Sequence, residues 1–134
     1  MVWDLKHLMT HYFYEARLSN DPELLLELFH PHAEIRLPGL LEPGEYMSAE
    51  DMTRTIIKLW RWQKQDIQKI VVNGDQIAVY YELTVVYAPI EEEVTTELCD
   101  IVTFKNGKIV SFIEFADTNL AKRLEAKHGA KANR

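Results

Sequence analysis

Two acids stand where a hydrophobic strand would ordinarily carry Val or Ile. In ELCDIVTFKNGKIVSFIEFAD, residues 97–117, Asp100 and Glu114 lie inside apolar runs on either side of an Asn-Gly turn. A carboxyl in apolar surroundings loses solvation and its pKa rises, so one acid of such a pair can serve as a base while the other donates a hydrogen bond. Together they could move a proton α to a carbonyl, as in aldol cyclisation or double-bond isomerisation. That requires both acids on one face of the sheet, and the turn decides it. A two-residue Asn106-Gly107 turn pairs Lys105 with Lys108, sets Asp100 opposite Ile113 and puts the acids on opposite faces. A three-residue loop with Gly107 left-handed pairs Phe104 with Lys108 and makes the acids diagonal neighbours on one face. One residue of register reverses the outcome, and Asn-Gly alone is compatible with either turn.

Other residues invite chemistry less strongly. His7 and His11 are four apart on a predicted helix, and His30 and His32 flank Pro31, but no third ligand accompanies the first pair and no metalloprotease motif is present. No metal is expected. There is no Gly-rich phosphate loop and no G-x-S-x-G. Trp60 and Trp62 suit stacking on a planar ligand or packing in a core. Tyr14 can donate to a ligand oxygen or turn its hydroxyl to water. Asp117 and Thr118 suit a helix cap.

The elements that position these residues follow from local pattern. Residues 4–18 read as a helix capped by Asp4. Asp21, Pro22 and Glu23 start a second, short helix, which Pro31 is expected to close near His30. HAEIRLPG (32–39) reads as a strand, and PGLLEPGEYM as a loop with two Pro-Gly turns. Ser48 and Asp51 form a capping-box variant opening a third helix expected to reach Gln63. From about residue 67 onward strands dominate: KIVV, an NGD turn, the long IAVYYELTVVYAPI, a connection at Pro89 and Glu91–Glu93, and the two strands around Asn106-Gly107. A helix starts near Thr118, with a frayed tail expected over about 128–134. Helices gathered against an antiparallel or mixed sheet give an α+β class. Both faces of the late strands are apolar, so a homodimer packed through the outer sheet face is expected.

The bulk properties fit one domain over residues 1–134. The net charge is −6 and no Lys/Arg cluster occurs, so a nucleic-acid partner is not expected. The single cysteine, Cys99, excludes an internal disulfide framework. No apolar run approaches the roughly 18 residues of a membrane span, and the N-terminus is too charged for a secretory signal. A cytoplasmic protein is the expectation.

The order of elements, LFHPHAEIRLPG after the second helix, and D-x-x-x-F followed by NGKIVSF together resemble the SnoaL-like and ketosteroid-isomerase-like superfamily. The resemblance covers nearly the whole chain. It implies the nuclear-transport-factor-like fold, a curved sheet wrapped around a helix to form a cone with a deep pocket. It implies that Asp100 matches the inward Asp that ketosteroid isomerases keep protonated to bind an oxyanion, and that Glu114 is similar in place to the last-strand acid of SnoaL-type cyclases. Both acids then face inward, which selects the three-residue turn. By the same parity Leu98, Val102, Phe104, Phe112 and Ala116 line the pocket. Resemblance and alternation together turn Tyr80, Glu82 and Thr84 inward on the long strand. Leu37 stands where ketosteroid isomerases carry their base, and Phe13 at or near their oxyanion tyrosine, with Tyr12 and Tyr14 on either side. Arg36 lies on the wrong strand face for the Asp-Arg-Asp set of an epoxide hydrolase. The expectation is a cofactor-independent enzyme that uses Asp100 and Glu114 on a small apolar carbonyl compound. Tyr14, Trp60, Tyr80, Glu82, Leu98, Phe104 and Phe112 would bind that compound. The alternative is a non-catalytic binding or dimerisation module of the same fold.

Overall fold

The computed structural model describes residues 4–132. Three short helical pieces run on from one another at the N-terminus: α1 (Leu5–His7), a π-helical turn (Leu8–Phe13) and α2 (Tyr14–Ser19). Asp4 caps the first, accepting from the His7 N–H at 3.1 Å. A π turn inserts a residue into the helical repeat and rotates everything after it. Phe13 and Tyr14 are consequently both buried, at 2% and 1% exposure, while Tyr12 is half exposed. Asn20 ends α2 in the left-handed conformation, and Asp21 caps α3 (Pro22–Leu26), as its sequence predicts.

That helix is shorter than expected. Pro31 does not close it near His30; the chain turns to strand at Phe29, and His30, Pro31 and His32 all belong to β1 (Phe29–Arg36). β1 is an edge strand, where a missing N–H is tolerated, and its register with β5 shifts between Phe29 and Glu34. The third helix, α4 (Ala49–Leu59), starts at the Ser48 cap but stops short of Gln63. Trp60 opens β2 (Trp60–Asn73), which pairs with β3 (Gln76–Tyr87) along its whole length. Strand pairing there outweighs the helical spacing of Trp60 and Gln63, because cross-strand packing decides what local propensity only biases.

After a 3-10 turn (Ala88–Ile90), β4 (Glu92–Lys105) and β5 (Lys108–Phe115) complete a five-stranded sheet in the order β1-β5-β4-β3-β2. β2 to β5 form an antiparallel meander, and β1 joins β5 in parallel. The sheet is mixed and open, with helices packed on its inner face: an α+β architecture. Ile77, Val79, Tyr81, Leu83 and Val85 of β3 pack into one core with Val102, Phe112, Met9, Phe13 and Ile35. α5 (Thr118–Ala132) is longer than predicted, since residues 128–132 continue the helix; residues 133–134 lie outside the described part. No described helix is long and apolar enough to cross a membrane.

Candidate functional site

The turn between β4 and β5 has two residues, not three. Asn106 (φ 50) and Gly107 (φ 77) are both left-handed, as a type I′ hairpin turn requires, and Lys105 pairs with Lys108. The expected three-residue loop is thus corrected. The acids nevertheless face the same way, for a reason the turn does not contain. Phe104 pairs with Ile109 but Thr103 pairs with Ser111, so Val110 is an extra residue in β5. This bulge shifts the register by one beyond it, and Asp100 comes to lie directly opposite Glu114.

Asp100 has no exposed surface. Two phenols donate to its Oδ2, Tyr14 and Tyr81, each at 2.8 Å. Tyr81 also lies 3.5 Å from Glu114 Oε2. Asp100 Oδ1 is buried with no donor, which makes it the natural seat of a proton that can be offered to Glu114. Burial first, then the nearby Glu114, hold the Asp100 carboxyl well above the usual carboxylate range; the two phenols oppose this without reversing it. Burial also lifts both phenols well above 10, with the negative charge of Asp100 adding to it. The cluster thus gathers two phenol O–H groups on one oxygen of a carboxyl whose pKa burial raises, with Glu114 directly opposite it on the neighbouring strand.

Glu114 is half-buried and lines a cavity of about 80 Å³ at one end of the sheet. Trp60, Trp62, Leu83, Val85, Leu98 and Ile56 supply apolar walls, and Leu120 and Ala121 of α5 lie over it. Arg17 of α2 is on the same wall, 6% exposed. Its Nη2 donates to the Trp60 carbonyl at 2.9 Å, and its guanidinium lies 4.7 Å above the Trp62 ring. Burial pulls the Arg17 pKa down to about 10, with Glu114 opposing most, so it keeps its charge at neutral pH.

The predicted site residues divide into three groups. Asp100, Glu114 and Tyr14 come together, and Tyr14 supplies the phenol that the spacing around Phe13 left open. Trp60 and Leu98 line the cavity with Glu114. Phe104 and Phe112 do not; they are core residues, Phe112 tilted against Phe13 and edge-to-face with Phe29. Val102 is likewise core, whereas Ala116 lies on the cavity rim. Tyr80, Glu82 and Thr84 are corrected outright. Val79 pairs with Asp100 and Tyr81 with Leu98, so the odd-numbered residues of β3 point inward; Tyr80 is 38% exposed and Glu82 is exposed. Plain alternation in IAVYYELTVVY carried that signal, since Ile77, Val79, Tyr81, Leu83 and Val85 make an unbroken apolar face while Glu82 and Thr84 fall on the other. Tyr81 was missed through that parity. Arg17 was missed because nothing in its local sequence marks it as buried.

An apolar cavity of about 150 Å³ admits benzene; the cavity beside Glu114 is about 80 Å³, and Asp100 is not on its wall. Among the described residues no group of three or more His, Cys, Asp or Glu is placed to hold a metal ion.

Comparison with known proteins agrees with this fold. The profile of the SnoaL-like domain matches residues 10–112. Among curated proteins, none matches this chain in sequence. Solved structures share the fold. IdmH from Streptomyces antibioticus, described as a candidate polyketide cyclase, is 22% identical with a TM-score of 0.69, over 86% of this chain and 93% of that one. A candidate isomerase from Rhodopseudomonas palustris is 13% identical, with a TM-score of 0.69 over 87% and 92%. An NTF2-like protein of unknown function from Burkholderia pseudomallei is 19% identical, with a TM-score of 0.72 over 91% and 98%.

Proposed function

This chain belongs to the SnoaL-like domain family, and on that premise we propose that it is a cofactor-independent acid–base enzyme acting on a small, apolar, carbonyl-bearing compound, in the manner of a polyketide cyclase or an isomerase. The observation that carries this reading is the placement of Glu114: a carboxyl group on the wall of an apolar cavity, backed on the neighbouring strand by the fully buried Asp100. In this reading Glu114 is the group that takes and returns the substrate proton. Asp100 is a positioning residue. It does not reach the cavity, so it cannot hold a substrate oxyanion directly as the resemblance implies. Instead its proton orients and electrostatically steadies the Glu114 carboxylate, and Tyr14 and Tyr81 fix Asp100 in turn.

The test is exchange of α-protons from small ketones into D2O, followed by NMR. Glu114→Gln should lower the exchange rate by about 100-fold or more, while Asp100→Asn should lower it less and change its pH profile. An unchanged rate in Glu114→Gln removes the enzyme reading.

A second reading is a non-catalytic module of the same fold. The size of the cavity favours it, since about 80 Å³ is too small for a polycyclic ligand with α5 in place. We also propose that the chain forms a homodimer through the outer sheet face, where Val71, Tyr80 and Phe115 are exposed at 52%, 38% and 46%. Sedimentation velocity checks it: a monomer at tens of micromolar rules that interface out.

A further inference from the structure

The cavity contains a cation that proton transfer by Glu114 leaves unused. Burying a guanidinium is costly unless a partner compensates it, yet the protein partners of Arg17 are neutral. Nη2 donates to the Trp60 carbonyl oxygen at 2.9 Å, and Nη1 to Asn20 Oδ1 at a long 3.5 Å. Among the described residues it forms no ion pair. Glu114 is the acid whose charge bears on it most, and it lies on the same cavity wall, but the two do not touch. Both the guanidinium and the carboxylate line the one cavity, and a guanidinium has five N–H donors of which the protein engages only some.

We propose that Arg17 is the oxyanion-binding group of this site, and that the substrate is an enolisable carbonyl compound bound with its carbonyl oxygen on the guanidinium and its α-carbon against Glu114. This rests on the proton-transfer reading above and supplies the electrophile it lacks, since Asp100 is absent from the cavity wall. Glu114 takes the α-proton; the C–H electron pair becomes the new C=C bond, and the carbonyl π pair moves onto oxygen. Negative charge passes from the carboxylate to the substrate oxygen. The proton and the electron pair both stay within the site, so its net charge is unchanged, and a fixed guanidinium on the same wall stabilises the charge that develops on oxygen. The same charge balance has a consequence for binding. A preformed oxyanion is repelled while Glu114 is ionised and is welcomed once that charge is removed.

The experiment uses isobutyrate, a small branched carboxylate, and follows the Arg17 Nε–H resonance in the intact protein. Glu114→Gln should bind isobutyrate about tenfold more tightly than wild type or better, which is on the order of 1.4 kcal/mol, and saturation should shift the Arg17 resonance. Adding Arg17→Met to Glu114→Gln should abolish the gain. If that double variant does not fold, the resonance shift in Glu114→Gln alone decides. Absence of binding to Glu114→Gln, or binding that leaves the Arg17 signal unmoved, overturns the proposal. Ketone α-proton exchange by the wild type separates the two readings. No exchange together with a shifted Arg17 signal discards Glu114 as a base and retains Arg17 as an oxyanion site. Exchange together with an unmoved signal retains the base and discards Arg17.

Discussion

At the scale of single residues, the burial of Asp100 ties its protonation to folding. Its pKa in the folded chain lies above the value of about 3.9 in an unfolded one. Between those two values the folded state keeps a proton that the unfolded state has released. The resulting stability is fully present below the unfolded value and is lost as pH rises toward the folded one. Asp100→Asn removes this slope, so urea unfolding of the variant should show less loss of stability between pH 4 and pH 8 (about those limits) than the wild type. Tyr14→Phe leaves Asp100 Oδ2 with one donor instead of two. The expected cost is about 1–2 kcal/mol, and the Asp100 carboxyl, having lost a group that favours its charged form, should titrate higher still in carboxyl-resolved NMR. A carboxyl signal that moves down instead would mean that Tyr14 is not its donor.

At the scale of elements, the site depends on irregularities rather than on ideal strands and helices. The Val110 bulge sets the acids face to face, and the π turn brings Tyr14 beneath them. On the outer face, Asp66, Glu82 and Glu97 lie side by side across β2, β3 and β4. Like charges directly opposite one another disfavour the pairing, so Glu82→Lys should stabilise the fold by about 0.5 kcal/mol, less at high salt. The seat of α5 is equally specific. Gly39 has φ +87, and a Cβ there would fall 2.5 Å from Thr118 Cγ2 at the start of α5. Gly39→Ala therefore combines an unfavourable backbone with a clash against the helix, and should cost more than about 1 kcal/mol. Chemical denaturation checks the loss; a variant as stable as wild type would mean that α5 shifts freely.

At the scale of the whole molecule, α5 links stability to access. Its own Ala121 and Leu124 are buried, Asp117 caps it, and Lys127 reaches Glu92 at 2.8 Å. Leu120 and Ala121 of this helix form part of the cavity wall. Leu124→Ala should cost about 2–4 kcal/mol by leaving a void under α5. It should also admit larger apolar probes, such as a naphthalene-sized fluorophore, to the space beside Glu114. Fluorescence titration reads this directly, and equal binding by wild type and variant would show that α5 does not limit entry.

Much of this architecture was legible in the sequence. The caps at Asp4, Asp21, Ser48 and Asp117 are local, because each needs only a side-chain oxygen within three residues of a free N–H. The meander of β2 to β5 followed from alternating apolar residues and turn signals, and the element order carried the family. Two acids in apolar strands raised the question of a shared face, and the structure sets them opposite one another. What no local pattern contained was the phase of each element. The acids share a face because of a bulge at Val110, Tyr14 meets Asp100 because of a π turn, and Tyr81 rather than Tyr80 points inward because β3 pairs with β4 in one register. Arg17 is buried only because Trp60 and Trp62 belong to a strand rather than to the end of a helix. A single-residue shift in phase changes which side chains meet while leaving local energies almost untouched. Only the packed sheet, with one face held against the helices, makes the alternatives unequal in energy.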